Sequence, residues 1–578
     1  MEIKRIAPDI GVSSQLAPQD IGAAAAQGYK TIIINRPDGE SDDQPDHAAI
    51  QKAAMAQGLR VKYLPVVAGK MTDADVSAFA AAMRGSPAPA LAYCRTGTRS
   101  ATLWALSQAG HLSADAILGA AADAGYDLSA LRPKLEGSAV AVQRSGRSKT
   151  YDIVIVGGGA AGIATASSIL KRRKTVNIAI IEPRTEHYYQ PGWTLVGGGV
   201  FKRENTQRQM ARVMPRGVHW IRAACAAFAP QDNKVILEDG ERIAYKTLVV
   251  APGLKLAWDK IDGLRDTLGK NGVTSNYLFD MAPYTWELVQ SLKGGKALFT
   301  QPPMPIKCAG APQKAMYLSC DAWRRSGALQ NIDVSFHNAG GVLFGVSDYV
   351  PALTRYVERY GVNLNFNENL VAVDGPSRKA TFEVSHEGGE TKYIERDFDM
   401  LHVCPPQTAP DFIAESPLAN DAGWVDVDPE TLQHVKYGNV FSVGDANSAP
   451  NAKTAAAVRK QAPVVAVNIL RTLEGEPPHA VYNGYGSCPL TVERGRVVLA
   501  EFAYGGKLDP TFPSWFLKGT EPTWKGWFAK ANLMPWLYFD LMLKGREWLA
   551  KPKILPHRPV AHAAAPAISE GKGPAKAA

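Results

Sequence analysis

The sequence predicts an α/β chain with several parallel-sheet units in series, on three observations. Residues 1 to about 112 alternate short apolar runs (YKTIIIN, VKYLPV, PALAYC) with helix-compatible ones (DHAAIQKAAMAQG, TDADVSAFAAAMRG), as a parallel sheet with crossover helices requires. Tyr151 to Gly162, YDIVIVGGGAAG, is a strand that turns at once into GxGxxG and then into IATASSILKRR. Two later runs, YKTLVVAPG (Tyr245 to Gly253) and YGNVFSVGDANSAP (Tyr437 to Pro450), are strands ending in small-residue turns. At 578 residues the chain is long enough for about three or four domains, each with its own core.

Composition bounds the class without choosing it. Apolar content of 46% and charge of 21% describe an ordinary globular protein, and a net charge of +9 fits nucleic acid, an anionic membrane or acidic substrates alike. The start, MEIKRIAPDIGVSS, has no apolar core after its basic residues, and no apolar run reaches the ~20 residues that span a bilayer. A cytoplasmic chain is expected. The six cysteines (94, 225, 308, 320, 404, 488) are scattered with no CxxC pair, which argues against a disulfide framework and a zinc site.

In the N-terminal segment, 1–112, the last strand delivers Cys94 into the loop CRTGTRS before the helical stretch ATLWALSQAG. Backbone N–H groups, a helix N-terminus and Arg95 and Arg99 all favour a thiolate there. The stretches NRPDGE (Asn35 to Glu40) and YCRTGTRS (Tyr93 to Ser100) resemble the rhodanese and cysteine-phosphatase-like superfamily. Four residues separate Cys94 from Arg99, as in many single-domain rhodaneses, whereas tyrosine phosphatases place five. The resemblance therefore implies sulfane-sulfur transfer through Cys94 ahead of phosphoester hydrolysis. Asp38 keeps the second reading open as a general acid, or is simply part of a turn.

Residues 113–150 are expected to be a helical extension and linker, and 151–511 the oxidoreductase body. In the glycine turn, Gly157 permits the bend, Gly159 lets backbone N–H groups approach a pyrophosphate, and Gly162 lets the helix lie on the strand. Glu182, 20 residues after Gly162 at the end of VNIAIIE, is placed for a ribose hydroxyl. With Gly253 and with Gly444 and Asp445, the latter for a ribityl hydroxyl, the order of motifs resembles the three-part FAD signature of two-dinucleotide-binding flavoproteins, with two Rossmann-like domains. Where their second glycine turn would hold a nicotinamide, this chain has GGKALFTQPPMPIKCAGAPQKA, Gly294 to Ala315. Prolines there remove N–H donors, so no nicotinamide reductant is expected, and Cys308 stands in that loop instead.

HYYQPGWTLVGGG (His187 to Gly199), PIKCAGAPQKAMYLS (Pro305 to Ser319), LFGV (Leu343 to Val346), AGWVDVDPETLQH (Ala422 to His434), NAKTAAAV (Asn451 to Val458), YGSCPL (Tyr485 to Leu490) and LMPWLYFDLMLKG (Leu533 to Gly545) follow in order. Through them, residues 150 to 553 resemble sulfide:quinone oxidoreductases of the mitochondrial and bacterial type. The resemblance implies sulfide or persulfide oxidation at two cysteines beside FAD, a small thiol as sulfur acceptor, and electron transfer to quinone. Cys308 matches the first cysteine. The second is expected after the Gly-Asp, where this chain has Ala446, and Cys404 in LHVCPPQTAPD is the candidate replacement; Cys225, Cys320 and Cys488 are expected to be packing residues. Lys453 is expected to stabilise the reduced flavin ring.

Residues 512–556 crowd Trp515, Trp524, Trp527, Trp536, Tyr538, Phe539 and Trp548 together, with seven Lys/Arg against three acidic residues between Lys518 and Lys553. An amphipathic helical region lying on the inner face of the cell membrane is expected, followed by a disordered tail, 557–578. Nucleic acid is not an expected partner. Two alternatives stay open: a cysteine-dependent phosphatase fused to an oxidoreductase of other substrate, and a sulfide or redox sensor without turnover.

Overall fold

The computed structural model describes residues 2–84, 86–109, 114–135, 150–385 and 391–555. Residues 136–149 of the expected extension and linker, and the expected tail, 557–578, lie outside these residues. The chain divides near residue 150 into two compact units.

In the first unit the strands are β1 (Ile3–Ala7), β2 (Ile10–Ser13), β3 (Thr31–Ile34), β4 (Arg60–Tyr63) and β5 (Ala90–Tyr93), in the order β1-β2-β5-β3-β4. All neighbours but β1 and β2 are parallel. β3 (TIII) and β5 (ALAY) are buried at every position, as central strands covered on both faces require. The helix Ala114–Asp123 adds Ile117, Leu118 and Ala121 to the same core as Ile10, Val12 and Trp104, and Tyr126, Leu128 and Leu135 follow it there.

The second unit holds a mostly parallel sheet and an all-parallel one. In one, Val218–Ile221, Ile178–Ile181, Thr150–Val156 and Arg242–Val250 lie side by side, and Val440–Ser442 pairs with the end of the last. In the other, the order is Val273–Thr274, Met400–His402, Gly295–Gln301, Ile332–Asn338, Asn363–Phe366, all parallel. A three-stranded antiparallel sheet, Glu368–Asp374, Lys379–Ser385 and Thr391–Asp397, accompanies it. Two Rossmann-like halves are therefore present, and the hairpin Gly486–Glu493/Arg496–Phe502 packs against the helix Ala311–Ser326 of the second.

The C-terminal region is helical from Trp524 to Lys544, in short α, π and 3-10 turns. Its inner side is tied to the body. Tyr538 Oη lies 2.8 Å from His187 Nε2, Ser167 Oγ donates to the Leu543 carbonyl at 2.7 Å, and Ser168 Oγ donates to Glu547 at 2.6 Å. The outer side is aromatic and open: Trp515 is 84% exposed and Trp524 62%, with Phe528 and Trp536 also exposed. Among the described residues, no helix is long and apolar enough to cross a membrane.

Candidate active site

The glycine turn is built as its sequence requires. Gly157 has φ +105°, and a methyl on Gly162 would fall on the Gly157 carbonyl oxygen, so the helix Ala160–Arg172 can approach the strand only without a side chain there. Nothing lies within 4 Å of where a Gly159 side chain would stand, so the helix N-terminus is open to a pyrophosphate. The Glu182 carboxylate accepts from the Gly158 and Arg184 N–H groups, each at 2.8 Å, and keeps lone pairs for a ribose hydroxyl. Gly162→Ala is expected to cut flavin retention at least about 10-fold, since even a strained methyl costs more than about 1.4 kcal/mol here; the bound flavin-to-protein absorbance ratio after desalting measures it.

Gly253 and Gly444 have φ of +82° and +81°, and the Gly444 N–H donates to Gln461 Oε1 at 2.8 Å, presenting Asp445. Burial raises the Asp445 carboxyl, against the Lys453 and Lys307 ammonium groups. Lys453 Nζ donates to the carbonyls of Asp445 (2.8 Å) and Asn447 (2.9 Å) and lies 3.9 Å from the centre of the Trp424 ring. Burial brings it down to about 8, against the pull of Asp445. The open helix N-terminus, the acidic residue after the adjacent strand and the buried Gly-Asp turn fit FAD.

Cys308 occupies the loop between the strand Gly295–Gln301 and the helix Ala311–Ser326, where a nicotinamide-binding turn would otherwise stand. Its partner is neither of the positions expected from sequence. Ala446 is wholly buried in the Gly-Asp turn, and the Cys404 thiol, which burial pushes up to about 12, accepts from Gln407 Nε2 at 3.8 Å. The thiol that meets Cys308 belongs to Cys488, on the strand Gly486–Glu493, with the two Sγ atoms 3.5 Å apart. Gly310 makes room, since a methyl on it would meet Cys488 Sγ at 2.6 Å.

Lys314 completes the group. One turn into its helix and only 2% exposed, it donates from Nζ to Cys308 Sγ at 2.9 Å. The Cys488 thiol hydrogen bond, and then the Lys314 ammonium, hold Cys308 well below the ordinary thiol value despite burial, while Cys488 is pushed well above it. Of the two, Cys308 is therefore the thiol that ionises first. Lys530, from the C-terminal region, is equally buried and donates to the Pro191 carbonyl at 2.8 Å; burial, with Lys314 adding repulsion, lowers it to about 7. Cys488, Lys314 and Lys530 were all missed from sequence. The signals available were YGSCPL itself and a lysine six residues after Cys308 in a helix otherwise facing the core.

In the first unit, Cys94 is fully buried at the end of β5, and Gly97, φ +88°, opens the helix Thr98–Ser107. Arg99 donates to Val66 O at 2.6 Å and to Glu40 Oε1 at 2.7 Å, and Glu40 also accepts from Arg36 Nε at 2.9 Å. Tyr126 lies against Gly97, its hydroxyl where a side chain would stand. Asp38 accepts from the His47 backbone N–H at 2.8 Å and pairs with the His47 ring, which stacks on Tyr63. Although burial opposes it, those His47 bonds lower the Asp38 carboxyl, so it is ionised at neutral pH.

Two contacting thiols in a fold of two Rossmann-like halves point to the oxidoreductase class, and comparisons with known proteins agree. A family model described as pyridine nucleotide-disulphide oxidoreductase matches residues 151–281. The chain is 42% identical over 402 residues to the mitochondrial sulfide:quinone oxidoreductase of Dictyostelium discoideum, covering 69% of this chain and 87% of the relative. Identity to the Mus musculus protein of the same name is 41% over 395 residues, 68% and 87% of the two chains. The chain belongs to the sulfide:quinone oxidoreductase family. The solved sulfide:quinone oxidoreductase of Aquifex aeolicus shares the fold, with a TM-score of 0.56 at 19% identity over 69% of this chain and 92% of that one. Residues 2–111 match a second family model, beta-lactamase hydrolase-like protein, phosphatase-like domain. There the chain is 35% identical over 144 residues to the beta-lactamase hydrolase-like protein of Agrobacterium fabrum, covering 25% of this chain and 33% of that relative.

Proposed function

We propose that this protein oxidises sulfide at the Cys308–Cys488 pair, with FAD as its cofactor and a membrane quinone as electron acceptor. The observation that carries this is the contact of the two sulfurs, 3.5 Å apart, with Lys314 Nζ 2.9 Å from one of them. In the oxidised state the pair forms a disulfide. Attack by HS⁻ breaks that bond, leaving a persulfide on one cysteine and a thiolate on the other, which Lys314 stabilises at Cys308. A thiol acceptor then takes the outer sulfur and the two cysteines are left reduced. The glycine turn, Glu182 and Asp445 would hold FAD, which would supply the two-electron acceptor for the reduced cysteines and the link to quinone. Steady-state reduction of a short-chain quinone by the purified protein should require sulfide and scale with flavin content; sulfide-independent reduction at the same rate argues against the assignment.

The open aromatic side of residues 512–556 supports docking on the lipid that dissolves the quinone, with tryptophans at headgroup depth. It is consistent with attachment to the inner face of the cell membrane.

For the first unit we infer sulfane-sulfur transfer through Cys94. The four-residue spacing between Cys94 and Arg99 supports this reading. The match of residues 2–111 to a phosphatase-like domain favours the second reading, hydrolysis of an aryl phosphate at the same cysteine. Cys94→Ser is expected to slow sulfide turnover without added thiol at least about 5-fold and to be rescued by an added small thiol, as loss of a tethered acceptor would. Unchanged turnover, with phosphate release from an aryl phosphate lost instead, selects the phosphatase.

A further inference from the structure

Cys308 has φ +53°, a left-handed conformation that residues with a side chain rarely adopt. It persists because the peptides around it are fixed one after another. The Lys307 N–H donates to Gln407 Oε1 at 2.7 Å. The carbonyl of the next peptide accepts from Tyr277 Oη at 3.3 Å, and its N–H, that of Cys308, donates to the Lys453 carbonyl at 2.9 Å. The Cys308 carbonyl then accepts from the Ala311 N–H at 2.7 Å, at the start of the helix that carries Lys314.

Two of these four partners are side chains, and Gln407 is the better bonded. It is itself held: 7% exposed, its amide nitrogen reaches Cys404 Sγ at 3.8 Å, and its backbone lies in the short ladder Lys255–Leu256/Gln407–Thr408. Its amide thus spans from a strand end of the second Rossmann-like half to the reactive loop without touching either reactive sulfur in its hydrogen bonds. That gives Cys404 a part as well, as a buried support for the Gln407 amide.

We propose that Gln407 is a positioning residue for Cys308: its side-chain carbonyl fixes the Lys307 peptide and so sustains the left-handed turn that aims Sγ at Lys314 and Cys488. Without it, Cys308 relaxes toward negative φ and its sulfur moves off the ammonium. The proposal rests on the thiol-pair reading above for its functional meaning, but its test does not need turnover.

The test is the pH profile of Cys308 alkylation by iodoacetamide in the reduced, flavin-loaded protein, read by peptide mapping. Gln407→Met keeps length and packing while removing the accepting oxygen; Gln407→Ala removes the same oxygen without needing room for a thioether. Both are expected to move the profile up by about one pH unit, slowing alkylation about 10-fold on its acid limb and little on its alkaline plateau, with flavin content retained. Tyr277→Phe, which frees the neighbouring carbonyl, is expected to move it in the same direction. Wild-type profiles in folded Gln407 variants overturn the proposal, as does slowing that is equal at every pH. A protein that shows the shift but is not bleached by sulfide refutes the sulfide assignment and leaves the positioning role standing.

Discussion

Cys488→Ser is expected to lower sulfide-dependent flavin reduction at least about 10³-fold, because a serine cannot form or re-form the disulfide that sulfide must open. Flavin binding is expected to be unaffected, since Cys488 lies on the hairpin Gly486–Glu493/Arg496–Phe502 and makes none of the contacts of the glycine turn or the Gly-Asp turn. Stopped-flow absorbance of the flavin band after mixing with sulfide measures the rate. Cys404→Ser should differ sharply. Its thiol is pushed up to about 12 and hydrogen-bonds Gln407, so the variant is expected to stay within about 5-fold of wild type, the size of one supporting hydrogen bond.

The second large effect belongs to Lys314. Its ammonium, 2.9 Å from Cys308 Sγ and buried, favours the anion there, so removing the positive charge must raise the Cys308 value. Lys314→Met is expected to raise it, and so to slow Cys308 alkylation about 10-fold or more on the acid side of the profile. The ratio of wild-type to variant alkylation rates should therefore be greatest at low pH and close as pH rises and both thiols ionise. Lys530 works in the same sense over a narrower range. Lowered to about 7, it loses its proton as pH rises through neutrality, and its support for the anion fades there.

Most of the fold was legible because it is written in local pattern. The runs YDIVIV and TLVV are strands, the turn at Gly157, Gly159 and Gly162 binds helix to strand as its spacing demands, and the proline-rich loop after ALFT does displace a second glycine turn. What escaped was the thiol chemistry, which is set by contacts distant in sequence. Cys308 and Cys488 are 180 residues apart, and the strand holding Cys488 is buried from Gly486 to Val492, so its cysteine looks like any core residue. Expecting the partner after the Gly-Asp led to Ala446 and then to Cys404, whereas the hairpin brings Cys488 in from the other side of the loop. Lys530 was hidden differently: it sits among surface lysines in an aromatic segment, and only its position beneath that segment, bonded to Pro191, separates it from them. The left-handed turn at Cys308 has no signal in the sequence, because no glycine or asparagine marks it.

The most direct test of the thiol pair is an anaerobic titration of the flavin-loaded protein. Adding sulfide should bleach the flavin band in a step that saturates at about one equivalent per flavin when a thiol acceptor is present, as a two-electron exchange at one disulfide requires. A short-chain quinone should then restore the band in full. A spectrum unchanged by sulfide, or bleaching that survives in Cys488→Ser, would contradict the account.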